Sequence, residues 1–271
     1  MRVLVTGAAG SIGTVVCSGL VDRGHEVAGL DLVAEPEGFT GPWFTADCAD
    51  ADAVAAVFDR LGPGGVEAVV HLAGVVTEQS LPRMLESHVV TTAVLLDAMV
   101  EHAVPRIVYA GSNHAVGRTP RMPLLDVDVR PRPDTFYGVG KVAAEALLSL
   151  YADRYGIDAV SARIGSFLAQ PESRRHLATW LSHDDAVRMV EACLTAPDPG
   201  FAVLYGISGN TRAWWDLEPG RALGYRPQDD AEHYAAAVEA RPATHDDDQE
   251  AAHVGGPFVG EAFYRPALDR S

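Results

Sequence analysis

Tyr137 and Lys141 are four residues apart in a stretch, Phe136–Tyr155, whose apolar pattern predicts a helix. Residues at this spacing lie on one face of a helix, so the two side chains would be neighbours. A free phenol has a pKa of about 10, and a nearby ammonium lowers that pKa by stabilising the phenolate. The pair could therefore exchange a proton with a substrate hydroxyl while hydride moves to or from nicotinamide. Two ordinary surface residues are the alternative, because the spacing is common by chance.

Lys141 is the only lysine among the 21 basic residues of the chain, and the others are arginines. A role that needs a compact ammonium, which a planar guanidinium cannot replace, would explain this exception. Chance or a genomic bias toward arginine would also leave a single lysine.

Three polar residues, Ser112, Asn113 and His114, follow the predicted buried strand Arg106–Ala110. Residues just beyond the carboxyl end of a parallel strand line the ligand crevice of an open sheet. Ser112 could therefore bind the reacting oxygen, while the other two hold neighbouring hydroxyls. For His114 alone, a loop or capping role is the simpler interpretation.

A glycine-rich turn, Gly7–Gly13, follows the first predicted strand and opens a helix with GxxGxxG spacing. Such a turn lets backbone N–H groups approach a pyrophosphate, although a plain strand-to-helix turn looks similar. Asp31 ends the next strand, 21 residues after Gly10, where an acid would bind the adenosine ribose. Because residues 32–35 contain no arginine for a 2′-phosphate, the sequence favours NAD over NADP.

The elements that must position these residues alternate between strand and helix patterns over the first two-thirds of the chain. Predicted strands are Arg2–Thr6, Glu26–Asp31, Phe44–Ala46, Ala68–His71, Arg106–Ala110 and Ala159–Arg163. Predicted helices are Ile12–Arg23, Ala51–Leu61, Leu81–His102 and Phe136–Tyr155. This alternation predicts an α/β fold, a Rossmann-type doubly wound parallel sheet.

After Gly165 the pattern loosens. The predicted elements there are a helix at Ser182–Ala196 with a capping box of Ser182 and Asp185, a strand at Val203–Ile207, a helical piece starting at Ala213–Trp215 and a helix at Asp229–Arg241. The sequence also predicts a solvated acidic loop at Thr244–Glu250 and an irregular segment at Gly255–Ser271. We therefore expect an NAD-binding domain at residues 1–165 and a small C-terminal substrate-binding lobe, not an independent domain, at 166–271.

Composition narrows the class of partner and compartment. The net charge of −16 disfavours nucleic acid and anionic membranes, and no run of apolar residues is long enough to span a bilayer. Three widely spaced cysteines and no secretion signal favour reduced thiols in a cytoplasm. No His or Cys spacing typical of a metal site occurs, so we expect no catalytic metal.

Taken together, these motifs resemble the extended short-chain dehydrogenase/reductases, the NAD-dependent epimerase/dehydratase superfamily. The match also covers Ala46–Cys48 at the adenine edge and His71–Gly74. A closer resemblance, nearly end to end, is to the uronate dehydrogenase family. It rests on SNHAVG (Ser112–Gly117), FYGVGK (Phe136–Lys141), RIGS (Arg163–Ser166), RHLATWLSHDD (Arg175–Asp185), WWD (Trp214–Asp216), LGYRPQD (Leu223–Asp229) and GGPFV (Gly255–Val259).

The resemblance implies NAD-dependent oxidation of galacturonate or glucuronate at C1 to the aldarolactone, with Tyr137 as the base, Lys141 tuning it and Ser112 assisting. The implied cofactor-binding residues are Gly7, Gly10, Ser11, Ile12, Gly13, Asp31, Leu32, Asp47, Cys48, Leu72, Ala73, Gly74, His88, Tyr137, Lys141 and Ile164. The implied substrate-binding residues are Val76, Ser112, Asn113, His114, Tyr137, Ser166, Arg175 and Phe258. Arg175 would pair with the uronate carboxylate, Phe258 would close the pocket, and the enzyme would be a homo-oligomer.

Three positions depart from the family pattern. Val76 replaces a substrate-contacting serine, His88 an asparagine near the nicotinamide, and Gly111 a serine before Ser112. Another NAD-dependent sugar dehydrogenase or reductase, or a sugar epimerase that retains its NAD, therefore stays an alternative. A non-catalytic dinucleotide sensor could dispense with Tyr137 and Lys141, both of which are present.

Overall fold

A computed structural model describes residues 1–242 and 251–268 of the chain. Seven parallel strands form one sheet in the order β3-β2-β1-β4-β5-β6-β9. Their bounds are β1 Arg2–Thr6, β2 Glu26–Asp31, β3 Trp43–Thr45, β4 Ala68–His71, β5 Arg106–Ser112, β6 Asp158–Ile164 and β9 Phe201–Gly206. A second, two-stranded parallel sheet pairs β7 (Ser166–Phe167) with β8 (Trp180–Leu181). The strand order reverses between β1 and β4, which opens a crevice at their carboxyl ends.

Helices cover both faces of the large sheet. The α-helices are α1 Ser11–Asp22, α2 Ala51–Leu61, α3 Leu81–Leu85, α4 Thr91–Glu101, α5 Phe136–Tyr155, α6 His176–Thr179, α7 His183–Thr195, α8 Glu218–Ala222 and α9 Ala235–Glu239. One core cluster joins α1 and α7 to the sheet, and another joins α2, α4 and α5 to its opposite face. The predicted α/β class and doubly wound parallel sheet are therefore confirmed.

The helix that carries Tyr137 has the bounds predicted from the sequence. Its first residue, Phe136, follows Thr135, whose hydroxyl accepts the N–H of Gly138 at 3.0 Å. Gly156 ends it in the left-handed region, at φ +68°, where glycine carries no steric penalty. A helix of 20 residues fixed at both ends is a rigid support for a side chain on its first turn.

The single helix predicted over Leu81–His102 is interrupted. A π-helical turn, Glu86–Val90, separates α3 from α4. The hydroxyls of Thr91 and Thr92 donate to the carbonyls of Ser87 and His88, at 2.7 and 2.6 Å. This turn buries Ser87 and His88 next to the crevice, a position that a continuous helix pattern does not predict.

Beyond residue 165 the predictions hold less well. Ser182 caps α7 by accepting the N–H of Asp185 at 2.9 Å, but the reciprocal half of the box is missing. The Asp185 carboxylate instead accepts the N–H groups of Gln228 and Asp229, at 2.8 and 3.0 Å. Backbone N–H groups more than 40 residues away thus take the place of the Ser182 N–H that a capping box would use.

Two helix predictions need correction as well. Ala213–Trp215 is not helical, because Trp215 forms an isolated strand bridge with Leu125, and the helix α8 starts at Glu218. The helix predicted at Asp229–Arg241 is a 3-10 turn at Ala231–Tyr234 followed by α9. Other 3-10 turns are Asn113–Val116, Gly256–Val259 and Glu261–Phe263. The predicted acidic loop Thr244–Glu250 lies outside the described residues.

The C-terminal third of the chain contributes to the same layers as the first two-thirds. Strand β9 pairs with β6 at the edge of the large sheet, and α7 packs against α1. The division into residues 1–165 and 166–271 stays a prediction. Within the residues the structure describes, no helix is both long enough and apolar enough to cross a membrane.

Candidate active site

A cavity of about 420 Å³ opens at the carboxyl ends of β1, β2 and β4. Twelve of the residues predicted to bind the cofactor line it: Gly7, Gly10, Ser11, Ile12, Gly13, Asp31, Leu32, Asp47, Cys48, Leu72, Ala73 and Gly74. The fold thus brings the glycine turn, the ribose-binding candidate and the adenine-edge candidates to one wall. Their roles as cofactor ligands stay a prediction.

The glycine turn is packed too closely for side chains. Gly7 has φ +69°, and a Cβ there would lie 2.7 Å from the backbone nitrogen of Ala73. A Cβ on Gly13 would lie 2.1 Å from the Gly7 carbonyl oxygen. No side chain caps the N-terminus of α1, so its first N–H groups are available to an anion.

Asp31 stands at the end of β2, beside this turn. One of its carboxylate oxygens accepts the N–H of Ala9 at 2.9 Å, and the other accepts the N–H of Leu32 at 2.7 Å. Oδ1 also accepts the N–H of Val33 at 3.4 Å, whereas Oδ2, which accepts the Ala9 N–H, keeps a second lone pair that can accept a hydroxyl. An uncapped helix terminus for phosphate and an oriented carboxylate for ribose fit a dinucleotide.

The Tyr137 and Lys141 side chains are neighbours at the start of α5. The Lys141 ammonium lies 5.4 Å from the centroid of the Tyr137 ring and 4.7 Å from that of Tyr109. It donates to the carbonyl of Ala110 at 2.7 Å, and the lysine is 4% exposed. A hydroxyl bound at the phenol would therefore have a buried cation within one helical turn.

Burial dominates the protonation of this pair. It lowers the pKa of Lys141 to about 7, against the influence of Glu145, which raises it. It also raises the pKa of Tyr137 to about 12; the hydrogen bond with Ser112 lowers that pKa and the charge of Asp134 raises it. The predicted lowering of the tyrosine pKa is therefore wrong, because desolvation outweighs the effects that lower it. Both groups lose hydration, and the ammonium binds a carbonyl rather than the phenol.

Two imidazoles flank the phenol. The rings of His88 and His114 lie edge-on to Tyr137, at centroid distances of 5.1 and 5.7 Å. His114 bonds the carboxylate of Asp134 through Nδ1 at 2.8 Å, and its ring contacts Phe258 at 4.4 Å. Side chains from the π-helical turn and from the 3-10 turn after β5 thus flank the phenol, and the C-terminal segment packs on one of them.

Arg175 and Asn113 converge on one backbone carbonyl. The Val254 oxygen accepts from the Arg175 guanidinium at 2.6 Å and from the Asn113 amide at 3.1 Å. Arg175 also donates to the hydroxyls of Ser166 and Thr179, at 3.2 and 3.4 Å. The guanidinium and the amide therefore share one acceptor, and His114, the residue after Asn113, is the ring that lies edge-on to the phenol.

Comparison with known proteins agrees with this geometry. The model of the NAD dependent epimerase/dehydratase family matches residues 3–200. The chain belongs to this family. A uronate dehydrogenase of Pseudomonas putida is 39% identical to it over 262 residues, 95% of each chain. An NAD-dependent glucose-6-phosphate dehydrogenase of Haloferax volcanii is 34% identical, over 86% of this chain and 95% of its own.

The fold and its uronate dehydrogenase relatives also agree in three dimensions. A crystal structure of uronate dehydrogenase from Agrobacterium tumefaciens, a point mutant complexed with NAD, superposes with a TM-score of 0.89. It is 35% identical in sequence, and the match covers 99% of both chains. The resemblance to the uronate dehydrogenases within the epimerase/dehydratase family is therefore confirmed.

The remaining predicted site residues are Val76, Ile164 and His88. Val76 is 76% exposed on the rim of the cavity and has no described contact with the polar surface around Tyr137. Ile164 pairs in register with Ser112 at the ends of β6 and β5. His88 is buried behind Gly74 and donates from Nε2 to the Val75 carbonyl at 3.0 Å.

Two carboxylates that shape the site were not predicted. Glu78 accepts the N–H groups of Phe136 and Tyr137, at 2.8 and 2.9 Å, and so caps the helix that carries the phenol. Asp134 orients His114. Asp134 directly precedes the capping Thr135, which is a usable local signal. Nothing local marks Glu78, because its partners lie 58 and 59 residues away.

Gly256 sets the position of Arg175. It has φ +60°, and a Cβ there would lie 2.5 Å from the guanidinium Nε. We expect Gly256→Ala to displace that guanidinium and raise the KM for an anionic sugar by about tenfold, since roughly 1.4 kcal/mol of binding is lost. Titration should show unchanged NAD affinity; weakened NAD binding would mean that the variant disturbs more than Arg175.

Proposed function

We propose that this chain oxidises a hexuronic acid, galacturonate or glucuronate, at C1 to the aldarolactone and transfers the hydride to NAD. The observation that carries the proposal is that Arg175 shares the Val254 carbonyl with Asn113, while the next residue, His114, lies edge-on to the Tyr137 phenol. Arg175 supplies a cation for the carboxylate, and Tyr137 a proton acceptor for the C1 hydroxyl. The similarity to the uronate dehydrogenases supports the same substrate class.

NAD would lie in the 420 Å³ cavity, with its pyrophosphate at the N-terminus of α1 and its adenosine ribose on Asp31. Leu32, Asp47 and Cys48 would border the adenine, and Leu72, Ala73 and Gly74 the middle of the molecule. His88, Lys141 and Ile164 would border the nicotinamide half. When bound, oxidised NAD would supply the hydride acceptor.

A cation, several polar side chains and an aromatic ring would together orient the sugar. The Arg175 fork binds the carboxylate, which an acidic protein would otherwise repel. Ser112, Asn113, His114 and Ser166 bind ring and hydroxyl oxygens. Phe258, packed on His114, excludes water from the reacting carbon. Val76, on the rim, contributes an apolar contact where the family pattern has a hydroxyl.

Tyr137 takes the proton of the C1 hydroxyl as hydride leaves the same carbon. The phenol must be ionised to do so, although burial alone raises its pKa to about 12. A charged Lys141 and the Ser112 hydrogen bond oppose that effect. We infer that the ammonium form of Lys141 is the active form and that proton transfer depends on it.

The test is a substrate panel that follows NADH absorbance. Galacturonate and glucuronate should react with NAD far faster than galactose, glucose 6-phosphate or arabinose at equal concentration, and faster with NAD than with NADP. A rate with galactose equal to that with galacturonate would defeat the uronate assignment. NAD that survives dialysis, with no net NADH formed, would favour the epimerase alternative.

Arg175→Ala should raise the KM for galacturonate by about 100-fold, because loss of a sheltered charged pair typically costs 2–5 kcal/mol. NAD affinity should not change. The neighbouring Arg174→Ala is a matched control, since Arg174 donates to the Glu239 and Arg241 carbonyls instead. Equal effects of the two substitutions on KM would remove Arg175 from the substrate site.

We also propose that the enzyme is a cytoplasmic homo-oligomer. Its three cysteines are free and buried, which suits a reducing compartment. Val100, Leu150 and Tyr155 expose apolar surface on the neighbouring helices α4 and α5. Light scattering on the purified protein measures the subunit number, and a monomer at micromolar concentration would contradict the assembly.

A further inference from the structure

The wall of the dinucleotide cavity is acidic. Three of its lining residues carry carboxylates, Asp31, Asp47 and Glu86, whereas Arg83 is the only cation among the lining residues. A dinucleotide carries a pyrophosphate with two negative charges into this wall. The protein as a whole, at −16, offers no long-range attraction for such a ligand. Affinity must therefore come from local donors, and among the residues that line this cavity Arg83 is the one charged donor.

Arg83 and Glu86 form an ion pair on the rim of the cavity. Arg83 lies in the short helix α3 and Glu86 opens the π-helical turn, with a guanidinium-to-carboxylate distance of 2.6 Å. Both side chains are more than half exposed, at 58% and 54%. Exposed pairs of this kind contribute little to stability, so the guanidinium can change partner at little cost.

Ser87 of the same turn and Thr91 at the start of α4 also line the cavity. Arg83 therefore stands one turn away from residues that face the ligand. Arginine binds phosphate oxygens bidentately through its planar fork, and a pyrophosphate presents two negative charges to the guanidinium where Glu86 presents one.

We propose that Arg83 releases Glu86 and binds the phosphates of the dinucleotide, and that Glu86 acts as an intramolecular competitor that limits cofactor affinity. This inference rests on the proposed use of NAD. It assigns the two residues opposite effects on the same equilibrium: the guanidinium attracts the pyrophosphate, while the carboxylate both occupies that guanidinium and repels the ligand.

The experiment measures dissociation constants by calorimetry for NAD, ADP-ribose and adenosine on the full chain. Arg83→Ala should weaken NAD and ADP-ribose by roughly tenfold, the effect of one charged hydrogen bond. Glu86→Gln should tighten both by about threefold. Adenosine has no phosphate, so its affinity should not change. Arg83→Ala should also reduce the salt dependence of ADP-ribose binding, because fewer screened charges take part.

Arg154→Ala removes the same charge at the far end of α5 and serves as the control for net charge. Thermal melting should show all three variants folded. If Arg83→Ala binds ADP-ribose as the parent does, or if Glu86→Gln weakens it, the inference is overturned. If the parent binds neither NAD nor ADP-ribose, the proposed function fails instead, so the two failures are distinguishable.

Discussion

Tyr137→Phe should lower kcat for galacturonate oxidation by about 1,000-fold, within the range that general acid–base groups contribute. The substitution removes one oxygen and keeps the ring between His88 and His114. With no group to take the C1 proton, hydride cannot leave that carbon at the same rate. NAD affinity and KM should change by no more than about threefold, because the phenyl ring still fills the pocket.

A control on the same helix separates chemistry from packing. Tyr151→Phe makes the same substitution at a surface position, where the hydroxyl donates to Asp97 at 2.5 Å. Stopped-flow absorbance at 340 nm measures the hydride step directly for both variants. If Tyr137→Phe retained most of the parent rate while binding uronate normally, another group would be the base, and His114 would be the first to examine.

The strands and helices that position this tyrosine can largely be predicted from the sequence. Buried parallel strands are continuous apolar runs, and the ends of β1, β2 and β4 were predicted to the residue. Strands of one parallel sheet end at one edge, so the glycine turn and Asp31 had to meet there. Local pattern and fold class together therefore locate the cofactor crevice without a structure.

Contacts between distant segments are what the sequence could not supply. The Val254 carbonyl that gathers Arg175 and Asn113 lies 79 and 141 residues from them. The Glu78 carboxylate that caps α5 lies 58 and 59 residues from its partners. Neither contact leaves a periodic signal, because each is made by an irregular segment. The C-terminal segment was predicted to be irregular, but its backbone builds part of the site.

The pKa values of the site residues could not be predicted from the sequence either. Spacing shows which side chains are neighbours, but it does not show how far each one is desolvated. Tyr137 and Lys141 are neighbours as predicted, yet burial moves both pKa values toward the neutral forms. The charge state that the proposed chemistry requires is therefore the one that burial disfavours. A substitution that removes the charge of Lys141 should therefore lower activity and raise stability.

Lys141→Met should reduce kcat by about 1,000-fold and at the same time raise the free energy of unfolding of the ligand-free protein by roughly 2 kcal/mol at pH 6. Methionine fills a similar volume without a charge to desolvate. Glu145 keeps its partners, since Arg163 donates to both its oxygens at 3.0 and 2.9 Å. Lys141→Arg should also be inactive, because a guanidinium does not fit the space of an ammonium.

The stability difference between Lys141→Met and the parent should depend on pH in a defined direction. The pKa of Lys141 is lowered from 10.5 to about 7 in the folded protein. Between these values the unfolded chain binds the proton and the folded chain does not, so the parent gains stability as pH rises through that window. Lys141→Met lacks the gain. Its advantage in urea unfolding should therefore be largest at pH 6 and shrink by pH 9. An advantage that stays constant, or a variant less stable than the parent at pH 6, would show that the buried ammonium is not under strain and that its charge is compensated within the fold.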